Sequence, residues 1–244
     1  MNKIKLILFC SLILVILPFS SQAQMFSVGT DNRTNFGNIY SPYARAGVQF
    51  IDFKYKGSNI GNNLIHTPLT FNGEAAYIAY ESLGFNINAV LGNTITGLNN
   101  TKYFSLNLNF INPFYLINGQ SFKAGIPVKL DSRLVSVRND DINEEFSQTS
   151  LSAGAGLTAA IIKQNRFSIT SEFLTSYGFS SASGGFLGGS VFSLNGNARI
   201  NFYNLLFGKN ISFGYDYIFD SYDIDEERLD YDLSGHTITL GVSF

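Results

Sequence analysis

Few side chains in this sequence could do chemistry, and their spacing narrows what that chemistry is. The chain holds two histidines, His66 and His236, and one cysteine, Cys10. Glu172, Arg199 and Asp216 each share an alternating phase with Ser, Thr, Asn or Gly rather than with bulky apolar residues. If that phase faces an enclosed space, neighbouring segments bring an arginine between two carboxylates. A charge in such a space needs a partner or water, so the expected cluster fills and braces the interior rather than making or breaking bonds. A second group is acidic: Asp220, Asp223, Asp225, Glu226, Glu227, Asp230 and Asp232, opposed by Arg228 alone. Asp223, Asp225, Glu226, Glu227 and Asp230 form a candidate rim site for a cation or a partner, since clustered carboxylate oxygens can hold calcium or magnesium. The segment lacks the glycine and ligand order of an EF-hand loop, so a solvated charged loop is expected and no metal is assigned. His66 lies in a polar stretch that could share a rim with this loop, where a histidine beside carboxylates could act as general base. His236 shares a phase with Ile238 and Phe244 and is expected on an apolar outer face. No triad is recognisable, no catalytic residue is assigned, and no cofactor is implied.

The elements that position these residues have a period of two. Phe104, Leu106, Leu108 and Phe110 alternate with Tyr103, Ser105, Asn107 and Asn109; Ile211, Phe213, Tyr215, Tyr217 and Phe219 alternate with Ser212, Gly214, Asp216, Ile218 and Asp220. This is the pattern of strands with one apolar and one polar face. Ten strands are predicted at 43–55, 70–81, 84–94, 102–112, 120–131, 149–161, 166–177, 189–202, 210–220 and 234–244. The connections alternate short (82–83, 113–119, 162–165, 203–209) with mostly longer and more polar ones (56–69, 95–101, 132–148, 178–188, 221–233). Two places fit badly. Pro127 deletes a ladder hydrogen bond in mid-strand, so a bulge is expected there. The apolar phase slips at Phe50-Ile51, which implies another bulge or a misplaced boundary. Residues 24–42 fit a periplasmic lead, an inward-folded plug or part of a further hairpin, which keeps eight and twelve strands open.

The start of the chain sets the compartment. Lys3 and Lys5 precede an aliphatic run from Leu6 to Leu17, broken by Pro18 and followed by Ser21-Gln22-Ala23. This reads as a secretory signal peptide over residues 1–23, too short for a helical span. Cys10 lies within it, so the remaining chain is expected to have no thiol. Beyond the signal, fourteen basic residues face eighteen acidic ones, and no concentrated basic face points to nucleic acid. Charged residues make up only 14% of the chain, against about 25% in typical soluble proteins. Aromatics reach 15%, with 23 Phe and 13 Tyr. A chain poor in charge yet free of long apolar runs fits a closed antiparallel up-and-down transmembrane β-barrel, all-β, whose strands are greasy on the outside only. The alternative, a soluble sandwich or lipocalin-like barrel, would reverse every face and needs more surface charge than this.

The last strand, with His236, Ile238, Leu240, Val242 and Phe244 in one phase, resembles that of bacterial outer-membrane β-barrel proteins. The resemblance covers about residues 43–244. It implies a Gram-negative outer-membrane location with both termini periplasmic, and Leu240, Val242 and Phe244 as the signal read by the barrel-assembly machinery. The implied partners are that machinery, outer-membrane lipid and lipopolysaccharide; the oligomeric state is not legible. The leading functional expectation is a non-enzymatic barrel with a largely filled lumen, acting as a structural or surface-binding protein. The alternatives are a narrow pore for ions or small solutes and a rim-located hydrolase. The latter is only generically similar to the omptin proteases or to a lipid hydrolase using a serine near His236.

Overall fold

The computed structural model describes residues 42–55, 70–82, 84–93, 100–141, 144–163, 166–182, 188–224 and 230–243. The expected signal peptide (1–23), and all but the last residue of the 24–42 segment, lie outside them. Ten strands follow one another: β1 (Tyr43–Tyr55), β2 (Phe71–Ser82), β3 (Phe85–Gly92), β4 (Thr101–Asn118), β5 (Phe122–Asn139), β6 (Glu144–Lys163), β7 (Phe167–Ala182), β8 (Gly189–Leu206), β9 (Lys209–Ile224) and β10 (Tyr231–Ser243). Each pairs antiparallel with the next in sequence, and β1 pairs with β10, so the sheet closes. Among the described residues the strand count is ten, as the spacing predicts.

The register sets the shape. Register partners followed round the barrel from Tyr115 on β4, through β5 to β10 and then β1 to β3, return to β4 at Tyr103, twelve residues away. A stagger of that size over ten strands tilts them by roughly 40°, so each residue climbs about 2.5 Å along the barrel axis. The strand ends joined by the short connections lie at the end where β1 begins and β10 finishes, here the turn end; the opposite ends of the strands form the loop end.

Over most of the height, apolar side chains point outward and polar ones inward. On β6 the outward row Leu151, Ala153, Ala155, Leu157, Ala159, Ile161 spans about 25 Å at that rise, and Leu157 is 68% exposed. The inward row of the same stretch is Ser150, Ser152, Gly154, Gly156 and Thr158. Toward the loop end the sense reverses. Outward positions become Asp52, Glu74, Lys102, Thr149, Ser181, Ser190, Ser221 and Ser234. Inward ones become Phe53, Phe71, Tyr103, Val135, Val137, Phe146, Val191, Tyr222, Tyr231 and Leu233, which form a packed apolar core. With the tilt included, these outward polar positions fall at nearly one height round the barrel. Just below them runs an outward aromatic belt containing Phe50, Phe104, Phe179, Phe192 and Phe219; Phe114, Phe122, Phe167 and Phe202 lie outward near the turn end.

This reversal accounts for the differences from the sequence reading. At Phe50-Ile51 there is no bulge: β1 keeps an unbroken register with β10 from Tyr43↔Ser243 to Tyr55↔Tyr231, and the inward phase simply turns apolar. The segment 132–148 is mostly strand rather than loop, because Ser132, Ser136 and Arg138 now face out and Arg133, Val135 and Val137 face in. At Pro127 there is no register shift either. It stands opposite Pro113 of β4, and two residues without N–H can only form a non-hydrogen-bonded pair. The missing donor is thereby turned toward β6, where pairing lapses between Gly125↔Thr158 and Val128↔Ala155 with the register kept. The irregularities lie instead between Tyr115 and Ile117 and between Phe202 and Leu206.

Candidate functional site

The lumen beneath the apolar core is where the charged side chains gather. Arg199 on β8 lies across Gly214 of β9, its cross-strand partner, and Arg45 on β1 lies across Gly241 of β10. A Cβ at Gly214 would meet Arg199 Cδ at 2.9 Å, and one at Gly241 would meet Arg45 Nη1 at 2.9 Å, so each glycine leaves the floor on which an arginine rests. From there Arg199 Nη2 reaches Asp216 Oδ1 at 2.6 Å and Glu81 Oε1 at 3.4 Å. Arg199 Nη1 also donates to the Tyr215 carbonyl at 3.1 Å. Arg45 Nε pairs with the other oxygen of Glu81, and its Nη1 donates to Ser212 Oγ at 2.9 Å. The result is a chain of two arginines and two carboxylates. Because Glu81 is on β2 and Arg199 on β8, it spans the lumen from one wall to the facing one.

Glu172, expected as the second carboxylate on Arg199, does not occupy that place. The register sets Glu172 directly opposite Asn197 and sets Arg199 opposite Thr170, and Asn197 Nδ2 donates to Glu172 Oε1 at 3.1 Å. Glu81 takes the position instead, from across the barrel. This yields a discriminating prediction. Glu81→Gln should destabilise the barrel by about 2–3 kcal/mol, somewhat less than for a fully enclosed pair because Glu81 is 26% exposed. Glu172→Gln should stay within about 1 kcal/mol of the parent. Urea unfolding in lipid vesicles measures both; equal effects would restore Glu172 to the cluster.

Higher in the lumen a second brace links facing walls: Arg133 of β5 pairs with Asp220 of β9, their side chains 6% and 0% exposed. Asp220 therefore points inward from β9 and is not part of the acidic loop with which the sequence reading groups it. Lys129 Nζ lies 3.1 Å from Asp131 Oδ1 two residues along β5. Between these braces lies a chamber of about 310 Å³, lined among others by Gln49, Asn86, Asn107, Asn109, Glu172, Asn195 and Asp216. It extends toward the turn end past Ser82 and Tyr115. At the loop end the aromatic core lies over it. Tyr231 stacks on Tyr222 with ring centroids 4.3 Å apart, meets Phe53 at 4.7 Å and Phe146 at 5.0 Å, and has no exposed surface.

The other candidate residues are dispersed. Asp223 is exposed and faces outward, and Asp230 is half-buried. Asp225, Glu226 and Glu227 lie outside the described residues, as does His66. Among the described residues no group of three His, Cys, Asp or Glu side chains is placed to hold a metal ion. Elsewhere on the rim, Asp140 receives Lys102 Nζ at 2.6 Å and Arg138 Nε at 2.9 Å. The Lys102 hydrogen bond, reinforced by both positive charges, holds its carboxyl below the ordinary value. His236 is exposed on the outer face, with Nδ1 2.7 Å from Tyr215 Oη. Ser234 follows the same face two residues away. Leu240 and Val242 are likewise outward and exposed; Phe244 lies outside the described residues.

Sequence reading missed Glu81, Arg133 and Asp220 because the Glu81–Arg199 and Arg133–Asp220 pairs form across the barrel, where strand adjacency gives no guide; Arg45 joins the chain through Glu81 on the neighbouring strand β2. One usable sign was present: Gly214 and Gly241 fall in the inward phase opposite Arg199 and Arg45.

No protein-family model matches the chain, and no curated protein is similar to it. Among solved structures it is similar to the outer membrane protease OmpT of Escherichia coli, at 8% identity and TM-score 0.44 over 89% of this chain and 99% of that one. It is also similar to Ail, the attachment invasion locus protein of Yersinia pestis, at 15% identity and TM-score 0.22 over 84% and 99%. A third likeness is to the Ralstonia pickettii toluene transporter TbuX, at 11% identity and TM-score 0.29 over 83% and 73%. These three structures differ in function: a protease, an attachment invasion locus protein and a transporter.

Proposed function

We propose that the chain is a non-enzymatic, non-conducting barrel of the bacterial outer membrane, braced inside, which holds its longer connections at the cell surface. One observation carries the reading: the outer face turns from apolar to polar at the height where the lumen turns from polar to apolar. An apolar girdle about 25 Å tall between aromatic belts suits a bilayer. An exposed apolar surface of that extent is not tolerated by a monomer in water. The collar above it, polar outside and apolar inside, suits water. The apolar core argues against a pore, since ions do not cross a dry, tightly packed constriction. Both termini would then be periplasmic, Leu240, Val242 and Phe244 would serve barrel assembly, and the girdle would meet lipid and lipopolysaccharide.

The test expresses the full chain in a Gram-negative host. It should fractionate with the outer membrane, shift its gel mobility on heating, and give no steps in planar bilayers. Recovery as a folded protein in detergent-free buffer would overturn the membrane assignment, and steady unitary openings would overturn the sealed lumen.

A further inference from the structure

The register of β3 and β4 sets Asn86 opposite Asn109 and Asn88 opposite Asn107, so four carboxamides form a two-by-two array on one wall of the chamber. Part of that array is satisfied: Asn88 Nδ2 donates to Asn86 Oδ1 at 3.3 Å, and Asn86 Nδ2 to Glu81 Oε1 at 3.4 Å. The other part is not. Asn107 and Asn109, 4% and 6% exposed, have carboxamide oxygens without a hydrogen-bond partner, and the Nδ2 of Asn195, which also lines the chamber, is likewise unpartnered. Buried polar atoms in native proteins are normally satisfied, so these point to something that enters.

We infer that the chamber is a binding site for a small, neutral, polyhydroxylated solute of about monosaccharide size. Neutrality follows from the charges. Arg45 and Arg199 are engaged by Glu81 and Asp216, Lys129 by Asp131, and Arg133 by Asp220. Glu172 receives Asn197. A charged solute would have to break one of these pairs to gain a counter-charge, whereas a neutral one uses the groups left over. Those groups include the carboxamides of Gln49, Asn107, Asn109 and Asn195, which can donate and accept as a hydroxyl does, beside Nε of Arg133 and Arg199 and Oδ2 of Asp216, whose charges are already balanced within their ion pairs. The size follows from the volume of about 310 Å³, at the lower end for small-molecule sites. The inference concerns the lumen alone and does not depend on where the barrel resides.

The test titrates the folded full chain in detergent micelles with glucose, sucrose, gluconate and glucosamine, read by calorimetry and saturation-transfer NMR. Saturable binding of glucose in the millimolar range, weaker binding of the two charged sugars, and at least a tenfold loss in Asn107→Leu/Asn109→Leu are expected. Heat-modifiable gel mobility checks that the variant still closes. If it does not, the wild-type series alone decides. Absence of saturation by either neutral sugar, charged sugars bound as tightly as glucose, or undiminished binding in a folded double variant would overturn the site.

Discussion

Replacing Tyr231 and Phe53 by alanine is expected to convert a silent barrel into one with discrete conductance steps in planar bilayers. Tyr231 is the hub of the loop-end core, touching Tyr222, Phe53 and Phe146 at centroid distances from 4.3 to 5.0 Å. Phe53 also meets Phe146 at 5.9 Å. Removing two adjoining rings takes out the groups that keep the constriction dry and leaves the polar chamber below. Truncations of this kind cost about 3–5 kcal/mol each in a packed core, but the braces and the backbone ladder beneath remain. Each single variant is expected to leak less than the pair. If the folded double variant stays silent, the seal lies elsewhere, in the connections above.

The second large effect concerns Arg133 and Asp220. Arg133→Met should lower stability by about 3–5 kcal/mol, since it strands a carboxylate with no exposed surface. Asp220→Leu should do the same for the guanidinium. The double variant Arg133→Met/Asp220→Leu is expected to recover most of the loss, because a buried ion pair is often matched by apolar groups of similar volume. Denaturant unfolding in vesicles gives the three values. The Asp52–Lys54 pair on the outer face, 30% and 69% exposed, is the control and should contribute less than about 1 kcal/mol. If Arg133→Met falls within that same range, the lumen is wet enough to solvate Asp220 and the brace is not structural.

Much of the fold was legible because the signal is redundant. Outward rows such as Leu151 to Ile161 repeat ten times with the same sense, and the alternation of connection lengths agrees with them. What escaped was the collar, where the alternation continues but its sense flips. Val135 and Val137 face inward, so a reading that follows apolar residues outward ends β5 at Asp131 instead of Asn139. The lumen cluster was partly legible for a related reason. Arg199 and Asp216 stand on neighbouring strands, and their shared phase could be read; Glu81 reaches Arg199 across the interior, a relation set by barrel diameter and stagger, and brings Arg45 of the adjacent strand with it. Pro127 looked like a defect because one strand at a time was considered; its meaning lies in Pro113 opposite.

The apolar core draws Phe53 from the first strand and Tyr231 and Leu233 from the last, two segments that are neighbours only once the ring has closed. A ring in which β1 and β10 have not met therefore lacks Tyr231 and Leu233 beside Phe53 and holds only part of its stopper. If the lumen is sealed as proposed, the seal requires those two strands to have met, so leakage is expected to report on ring closure.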